Sequence, residues 1–415
     1  MKSNYAKYYV MQTTYALALM FCSGTVLQAF LLEYGFSEGQ VYAYNAMIQM
    51  VQTAIMLASM FFADRIQKTK VLMGICILSL LLLFSAQFVV LGKESNPPVV
   101  LFFVMGFITY CCVGLQSIEG YKLPYQIFDI RDYGRVCGVS AAIAKVFCFA
   151  CSVLYSFFII RFRYSWVHVG FFSVMMLCVV LASASCFLFK EKSREDKETP
   201  LQDLQEQCEG VQQKKRNYQA FKNKATYLLL IPNFLRGITT GIVSLLATIG
   251  ISKAIITTQT SSYMNIAMQV ALFLGNVFFA FSCNKRFSVK KIMLISAVVM
   301  GVFLPLSILR ENPVDFIVGY LIVQFFMILV DTAIPVLVTE MIPYEQMGTF
   351  TAIRLSVYMF GSFVISAVLD WALKTVGHLP LFIIASVMQI ICCTSYYLVS
   401  KRFKAQTGEK EDGKA

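Results

Sequence analysis

The sequence predicts an all-α membrane protein in which twelve transmembrane helices form two pseudo-symmetric bundles of six. Three observations predict this fold class: a very apolar composition, twelve long apolar segments, and an internal repeat on either side of a charged linker. The 415 residues are 58% hydrophobic and only 14% charged, with a mean hydropathy of +0.67. Soluble domains carry about 25% charged residues, so most of this surface must face lipid.

The apolar segments have the length that a bilayer requires. A hydrocarbon core of about 30 Å needs about 20 apolar residues per helix. The spans are predicted at 9–31, 40–62, 70–92, 98–122, 135–160 and 166–189, then at 226–251, 261–283, 290–309, 314–338, 348–372 and 379–400. These runs are continuous rather than alternating, which excludes a transmembrane β-barrel. Span 1 is too long for a signal-peptide core and lacks a small-x-small cleavage site, so we expect it to be retained.

The distribution of basic residues predicts the orientation. Counted by loop, 26 Lys and Arg lie on the side of both termini, six lie on the opposite side and three lie inside spans. By the positive-inside rule both termini face the cytoplasm, as in a multi-pass protein of the cytoplasmic (inner) membrane. The net charge of +12 follows from these membrane-flanking residues, so we expect the lipid bilayer and no nucleic acid as a partner.

A charged segment divides the chain. Residues 190–225 hold nine basic and seven acidic residues and break the apolar pattern. We therefore predict an N-terminal six-helix bundle at 1–189, a cytoplasmic linker at 190–225, a C-terminal six-helix bundle at 226–400 and a cytoplasmic tail at 401–415.

The two halves share a weak repeat at an offset of 220 residues. With six spans per half, this repeat indicates a parallel duplication. The identical pairs are Asn45 and Asn265, Gln49 and Gln269, Phe61 and Phe281, Lys70 and Lys290, Met73 and Met293, and Ile75 and Ile295.

Two short motifs carry a family resemblance. The turn after span 2 reads Phe-Ala-Asp-Arg-Ile-Gln-Lys-Thr-Lys at 62–70, and a degenerate copy follows span 8. The entry to span 5, Gly134 to Gly138, reads Gly-Arg-Val-Cys-Gly. Both motifs resemble those of the major facilitator superfamily, although the first lacks that family's glycines at Met60 and Gln67.

The resemblance implies two bundles that rock around a central cavity between inward-open and outward-open states. It also implies a gating role for Asp64 and Arg65, with the Asp64 carboxylate tied to the start of span 11. The unpaired N–H groups at a helix N-terminus favour such an anion. A solvated turn is the alternative interpretation.

Charged groups inside the membrane are functional candidates because lipid disfavours them. Arg236 lies well inside span 7 beside Pro232, and Asn233 and Thr240 share its face. An interrupted polar helix of this kind is typical of a midplane binding site. We predict that these residues bind substrate, with a structural ion pair of Arg236 as the alternative.

A second charged pair is predicted from depth alone. Asp331 in span 10 and Arg354 in span 11 are nearly equidistant from the turn at Pro343, so a hairpin would bring them to one level. Asp331 is a candidate proton acceptor, and Arg354 is either its static partner or a gating residue. Gln324 extends the Asp331 face towards the cavity as a substrate contact.

Spans 4 and 5 contribute further candidates. Lys145 in span 5 has no acid at its depth on span 4, so it is predicted to meet an anionic substrate or a partner across the cavity. Gln116 and Glu119 share one face of span 4, as a substrate contact and a proton-coupling group respectively. Glu119 lies near the cytoplasmic surface, and a carboxylate that is simply solvated there explains its position equally well.

Amide stripes follow helical spacing on spans 2 and 8. Asn45 and Gln49 lie on span 2, and Asn265 and Gln269 lie on span 8. The resemblance places these two spans at the seam between bundles. We predict that these amides exchange hydrogen bonds between two states and so act in gating.

Three cations against two carboxylates inside the membrane favour a small anionic or zwitterionic organic solute, carried by a secondary transporter. Asp331 is the candidate for coupling that transport to protons. An exporter of hydrophobic or drug-like compounds is the alternative, and a non-transporting receptor or scaffold is the alternative of another class. The sequence contains no catalytic constellation, nucleotide loop or paired metal ligands. We therefore expect no enzyme activity, cofactor or metal, and a functional monomer.

Overall fold

The structure is a computed structural model. It describes residues 2–62, 68–93, 97–128, 130–162, 164–189, 224–282, 288–309, 311–341 and 347–412. Within these ranges every regular element is a helix. Among the described residues, eleven helical segments are long and apolar enough to cross a membrane. The remaining predicted span, Glu38–Phe62, is a 25-residue helix that carries the first amide stripe.

The helices follow the predicted order of twelve spans. Spans 1 to 6 are Lys2–Cys22 with Gly24–Glu33, Glu38–Phe62, Thr69–Leu78 with Leu80–Leu91, Val99–Ile127, Ile130–Arg161 and Tyr164–Phe187. Spans 7 to 12 are Lys224–Ser244 with Leu246–Ser252, Ser262–Ser282, Val289–Leu309, Pro313–Met341, Met347–Thr375 and His378–Asp412. The chain is therefore an all-α membrane protein of the predicted class.

The first span of each half is interrupted near the same end. Span 1 breaks at Ser23, where Gly24 has a φ of +68° that favours glycine. Span 7 breaks at Leu245, almost the same position after the offset of 220. We call the side reached by the ends of spans 1 and 7 the far side, and the opposite side, where both termini lie, the terminal side.

Each half has its own apolar core. Buried residues from Tyr8 to Phe189 form one cluster in the first half. In the second half two clusters lie at different levels, and the one nearer the far side also includes Tyr42 from span 2. Large apolar side chains such as Val100 and Trp371 are 77% and 66% exposed, as expected for residues that face lipid.

The halves meet through equivalent helices. Span 2 packs against span 11, span 5 packs against span 8, and the far ends of spans 1 and 7 pack together. Each pair joins one helix from each half, which is the arrangement expected of two related bundles. The residue limits predicted for the two bundles, the linker and the tail stay predictions.

Candidate functional site

A buried ion pair lies in the second half. The guanidinium of Arg236 on span 7 contacts the carboxylate of Asp331 on span 10. The Arg236 side chain is only 7% exposed, whereas the Asp331 side chain is 33% exposed. The cation is therefore enclosed by protein while part of its carboxylate partner remains open. A pair of this kind is strongly destabilised when one partner is removed, because the other charge is left buried.

Polar and aromatic groups hold this pair in place. Arg236 also lies over the ring of Tyr358, 5.2 Å from its centroid, a distance at which a cation is attracted to the ring face. One turn earlier, Asn233 donates to the carbonyl of Leu229 (2.6 Å) and accepts a hydrogen bond from the hydroxyl of Tyr396 (2.7 Å). The bond from Tyr396 connects spans 7 and 12 next to Pro232, which cannot donate a backbone hydrogen bond.

Spans 7 and 11 touch backbone to backbone beside the ion pair. A Cβ at Gly237 would collide with the carbonyl oxygen of Tyr358, and a Cβ at Gly361 would collide with that of Phe234. Small residues at a helix interface permit this close approach. The two glycines thus fix the distance between the helices that present Arg236 and Tyr358.

Twin hydrogen bonds join the halves near the far side. Asn45 on span 2 donates to Ser366 on span 11 at 2.8 Å, and Asn265 on span 8 donates to Ser152 on span 5, also at 2.8 Å. Asn45 and Asn265 are equivalent in the repeat, and spans 11 and 5 are equivalent helices. The same amide-to-hydroxyl contact is therefore made twice, once on each side of the seam.

A third contact lies between the twin bonds. The Oε1 atom of Gln28 accepts from the hydroxyl of Thr248 (3.0 Å), and its amide nitrogen donates to the carbonyl of Ser244 (2.8 Å). Gln28 and Thr248 are separated by the repeat offset of 220 residues. Two equivalent residues can touch only where the halves meet on their pseudo-twofold axis, so this contact marks that axis.

All five hydrogen bonds seen between the halves in the described ranges lie towards the far side. Besides the four bonds above, Thr258 donates to the carboxylate of Glu33 at the far-side surface. The structure thus corresponds to a state that is closed on the far side.

A cavity of about 230 Å³ lies just below this seal in the first half. It is lined by spans 1, 2 and 4, with Ser244 from span 7. The polar residues that line it include Gln28, Tyr44, Asn45, Gln49 and Gln52. As far as the chain is described, this lining holds no carboxylate, amine or guanidinium group.

The remaining predicted substrate residues occupy separate places. Lys145 is half-buried on the span 5 face that also carries Cys148 and Ser152. It is displaced from Ser152 by two turns, about 10 Å at 1.5 Å per residue, towards the terminal side. Gln116 is buried and accepts a hydrogen bond from Tyr15 (2.9 Å).

The other predictions in the second half are placed as follows. Thr240 is half-buried one turn beyond Arg236, and Gln324 is buried on span 10, 7% exposed. Arg354 is half-buried on span 11. Depth along the chain predicted Arg354 as the partner of Asp331, but the ion pair that the structure shows for Asp331 is with Arg236.

Several predicted residues lie outside the described part of the chain. Asp64 and Arg65 fall between Phe62 and Lys68, and the side chain of Glu119 is likewise not described. Their predicted roles stay predictions. Within the described ranges no group of His, Cys, Asp and Glu residues could hold a metal ion.

Sequence reasoning missed several partners in this site. It did not select Ser152 and Ser366, because single serines in apolar helices are common. The axis residues Gln28 and Thr248 differ in type, so a search for identities passed over them. Applying the offset of 220 to every polar residue would have found that pair.

Two related halves, paired helices across a seam and charges buried inside the spans define the architecture of a secondary transporter. The chain belongs to the Major Facilitator Superfamily, whose family model matches residues 10–366. No curated protein sequence matches the chain.

Solved structures share the fold across nearly the whole chain. A D-xylose-proton symporter is 15% identical, with coverage of 95% of this chain and 96% of its own and a TM-score of 0.69. The E. coli fucose:proton symporter is 12% identical, with coverage of 96% and 97% and a TM-score of 0.62. The nucleoside transporter NupG is 13% identical, with coverage of 97% and 98% and a TM-score of 0.62.

Proposed function

We propose that this membrane transporter moves a small polar organic solute by alternating access, coupled to protons at Asp331. The observation that carries the proposal is the ion pair in which Arg236 is enclosed while a third of the Asp331 side chain is exposed. A proton can reach this carboxylate, and its arrival removes the charge that balances Arg236. The protein then has two charge states that favour different packings of spans 7 and 10.

The twin hydrogen bonds of Asn45 and Asn265 supply the corresponding gate on the far side. Each joins an amide to a serine hydroxyl, and such a bond contributes about 1 kcal/mol. Bonds of this strength hold one state without trapping the protein in it. Opening the far side would break both bonds as the halves rotate, and closing the terminal side would replace them by new contacts.

Two transport assays distinguish proton coupling from movement of the solute through the protein. Reconstituted Asp331→Asn protein should still exchange solute between equal concentrations on both sides, but should no longer accumulate it when a pH gradient is imposed. Asp315→Asn is the matched control because Asp315 is an exposed carboxylate in the first turn of the same span. Uphill accumulation by Asp331→Asn equal to that of the control would refute proton coupling at Asp331.

We further propose that the solute is anionic or zwitterionic. Lys145 lies half-buried on the span 5 face that leads to the contact with span 8, and a partly buried ammonium there favours a negative group. Because Asp331 neutralises Arg236, Lys145 rather than Arg236 carries this preference. Lys145→Met should weaken uptake of an anionic substrate about tenfold, whereas Lys145→Arg should retain most of it.

A neutral, hydroxyl-bearing solute is the second candidate. The uncharged cavity beside Tyr44 and Gln49 favours it, and so do the xylose, fucose and nucleoside transporters that share the fold. Uptake that is unchanged in Lys145→Met would favour this candidate over the anionic one.

The orientation, membrane and oligomeric state complete the proposal. Both termini and residues 190–225 face the cytoplasm, the protein resides in the cell membrane, and the monomer is the functional unit. Alkaline phosphatase fused after Gly92 should be active, because that loop would lie outside, whereas a fusion after Gly210 should be inactive. The reverse pattern would contradict the orientation.

A further inference from the structure

Arg236 has two partners of different kinds. The carboxylate of Asp331 on span 10 pairs with its guanidinium, and the ring centroid of Tyr358 on span 11 lies 5.2 Å from its Cζ atom. A proton that binds the carboxylate removes the charge of that partner. The ring face attracts a cation through its fixed quadrupole, which a proton on Asp331 leaves unchanged. The two partners therefore respond differently to protonation.

The Tyr358 ring is fixed to the helix that carries Arg236. Gly237, the residue after Arg236, lies so close to the Tyr358 carbonyl that a Cβ there would collide with it, and Gly361 approaches Phe234 in the same way. Small residues allow helices to pack with their backbones in contact. Because spans 7 and 11 touch at both glycines, Tyr358 keeps its position relative to Arg236 when other helices shift.

The carboxylate belongs to a different group of helices. Span 7 packs against spans 11 and 12, whereas span 10 packs against spans 8, 9 and 12. The contact of Arg236 with Asp331 thus bridges two groups of helices, and the contact of Arg236 with Tyr358 lies within one group. A change of packing between spans 7 and 10 breaks the first contact and preserves the second.

Other titratable and charged groups also act on this region. The neighbouring spans present, among the described residues, Arg354, Cys392 and Tyr396 near the pair, and Tyr263, Lys290 and Lys291 at the ends of spans 8 and 9. Arg354 is a permanent cation, and buried thiol and phenol groups stay neutral near neutral pH. Among these described groups Asp331 is therefore the acid whose charge a proton changes beside Arg236.

We infer that Tyr358 is a positioning residue for proton coupling, and that its ring holds the buried Arg236 guanidinium in place while Asp331 is protonated. This inference rests on the proposed function and deepens it. A buried cation without any partner is strongly disfavoured, and the attraction of a ring face for a cation increases when water is excluded. With the ring in place, Arg236 keeps a partner in both charge states of Asp331.

The sign of the effect follows from this arrangement. Loss of the ring leaves Arg236 dependent on the Asp331 carboxylate alone. The protonated form of Asp331 then becomes less favourable relative to the ionised form, because protonation removes the last partner of the cation. Asp331 should therefore take up its proton only at lower pH when the ring is absent.

Infrared difference spectroscopy of the purified full-length chain in lipid bilayers tests this role without a transported solute. The C=O band that Asp331→Asn removes reports the protonated carboxyl group of Asp331, and its intensity is followed as a function of pH. Tyr358→Leu should move the midpoint to lower pH by about one unit, a tenfold change in proton affinity. Tyr358→Phe keeps the ring and should titrate like the wild type.

A trifluorinated phenylalanine at position 358 separates the charge distribution of the ring from its packing. Fluorine withdraws electron density from the ring face and changes the shape of the side chain little, so this protein should fold even if Tyr358→Leu does not. Its midpoint should lie at lower pH than that of Tyr358→Phe. Equal midpoints for these two rings would overturn the inference.

Phe360→Leu is the matched control. It removes a ring from the same helix, but Phe360 is 48% exposed and contacts Phe234. This variant should titrate like the wild type. A shift equal to that of Tyr358→Leu would mean that a general loss of packing is the cause, and would overturn the inference. A wild type in which Asp331 gives no titrating band would overturn it as well.

The outcome is separable from that of the proposed function. If the midpoint of Asp331 depends on the ring while Asp331→Asn still accumulates solute in a pH gradient, the role of Tyr358 beside the ion pair stands and the coupling proposal fails. If Asp331→Asn abolishes accumulation while both altered rings titrate like the wild type, the proposed function stands and the role of Tyr358 fails alone.

Discussion

The two halves of this transporter bury polar groups in different ways. The second half encloses a full ion pair, Arg236 with Asp331, between helices whose backbones touch at Gly237 and Gly361. The first half encloses neutral amides and hydroxyls around a cavity, and on its span 4 Gly106 and Gly114 lie nearest to side chains of span 2 rather than to backbone. The two halves of a duplicated scaffold thus differ: the second holds the buried ion pair, and the first holds the uncharged cavity, with Lys145 half-buried elsewhere on span 5.

This difference suggests a division of labour. A carboxylate that gains and loses a proton during transport requires a counter-ion held in a fixed position. The tightly packed helices of the second half provide such a position. Recognition of a solute requires polar groups beside free volume, and the first half has a cavity with such a lining.

The largest effect is expected at the ion pair. Asp331→Leu leaves the Arg236 guanidinium buried without its carboxylate and should lower the free energy of unfolding by about 3–5 kcal/mol. The double variant Arg236→Met with Asp331→Leu should recover most of that loss, because an apolar pair of similar volume often replaces a buried ion pair without cost. Unfolding in detergent measures both, and both should lack coupled uptake.

A double variant as unstable as the single one would show that Arg236 is held by other groups. In that case the second half would not depend on its charge pair, and the contrast between the halves would lose its main support.

A smaller effect is expected from adding a methyl group at the helix contacts. Gly237→Ala forces a Cβ against the backbone of Tyr358, which cannot move without displacing span 11, and overpacking of this kind costs about 1–3 kcal/mol. Gly114→Ala places a Cβ 3.0 Å from Cγ2 of Ile55, a side-chain atom that can shift. Thermal unfolding should therefore show a clear loss for Gly237→Ala and a much smaller one for Gly114→Ala. Equal losses would contradict a more rigid second half.

The smallest effect is expected where the halves are alike. Asn45→Ala and Asn265→Ala each remove one hydrogen bond of the far-side seal, worth about 1 kcal/mol. Each should therefore speed amide hydrogen exchange of 24–33 and 246–252 about fivefold. Thr375→Ala, which removes a hydroxyl bonded within its own helix, is the control. A large effect from one asparagine alone would show that the seal is asymmetric.

The sequence predicted the fold well because lipid imposes a simple rule on each span. Each of the twelve predicted spans holds a helix in the described ranges, and eleven of these are long and apolar enough to cross a membrane. The repeat offset anticipated that Asn45 and Asn265 would be equivalent. Partners across helices were harder to predict. Depth along the chain suggested that Asp331 meets Arg354, but depth says nothing of rotation about the helix axis, and span 10 turns Asp331 towards span 7. A buried atom without a partner among the described residues, such as the Tyr44 hydroxyl, depends on packing in three dimensions and leaves no periodic pattern in the sequence.

The contact between Gln28 and Thr248 has a consequence for the ancestry of the protein. In a dimer of identical chains, the residue on the rotation axis faces a copy of itself, and neither copy has a fixed part as hydrogen donor or acceptor. Fusion of the two copies into one gene removes that restriction. Here one residue is an amide and the other a hydroxyl, so the sequence itself determines the two partners of this hydrogen bond. At this site a change in one repeat alters the hydrogen bond made by the other.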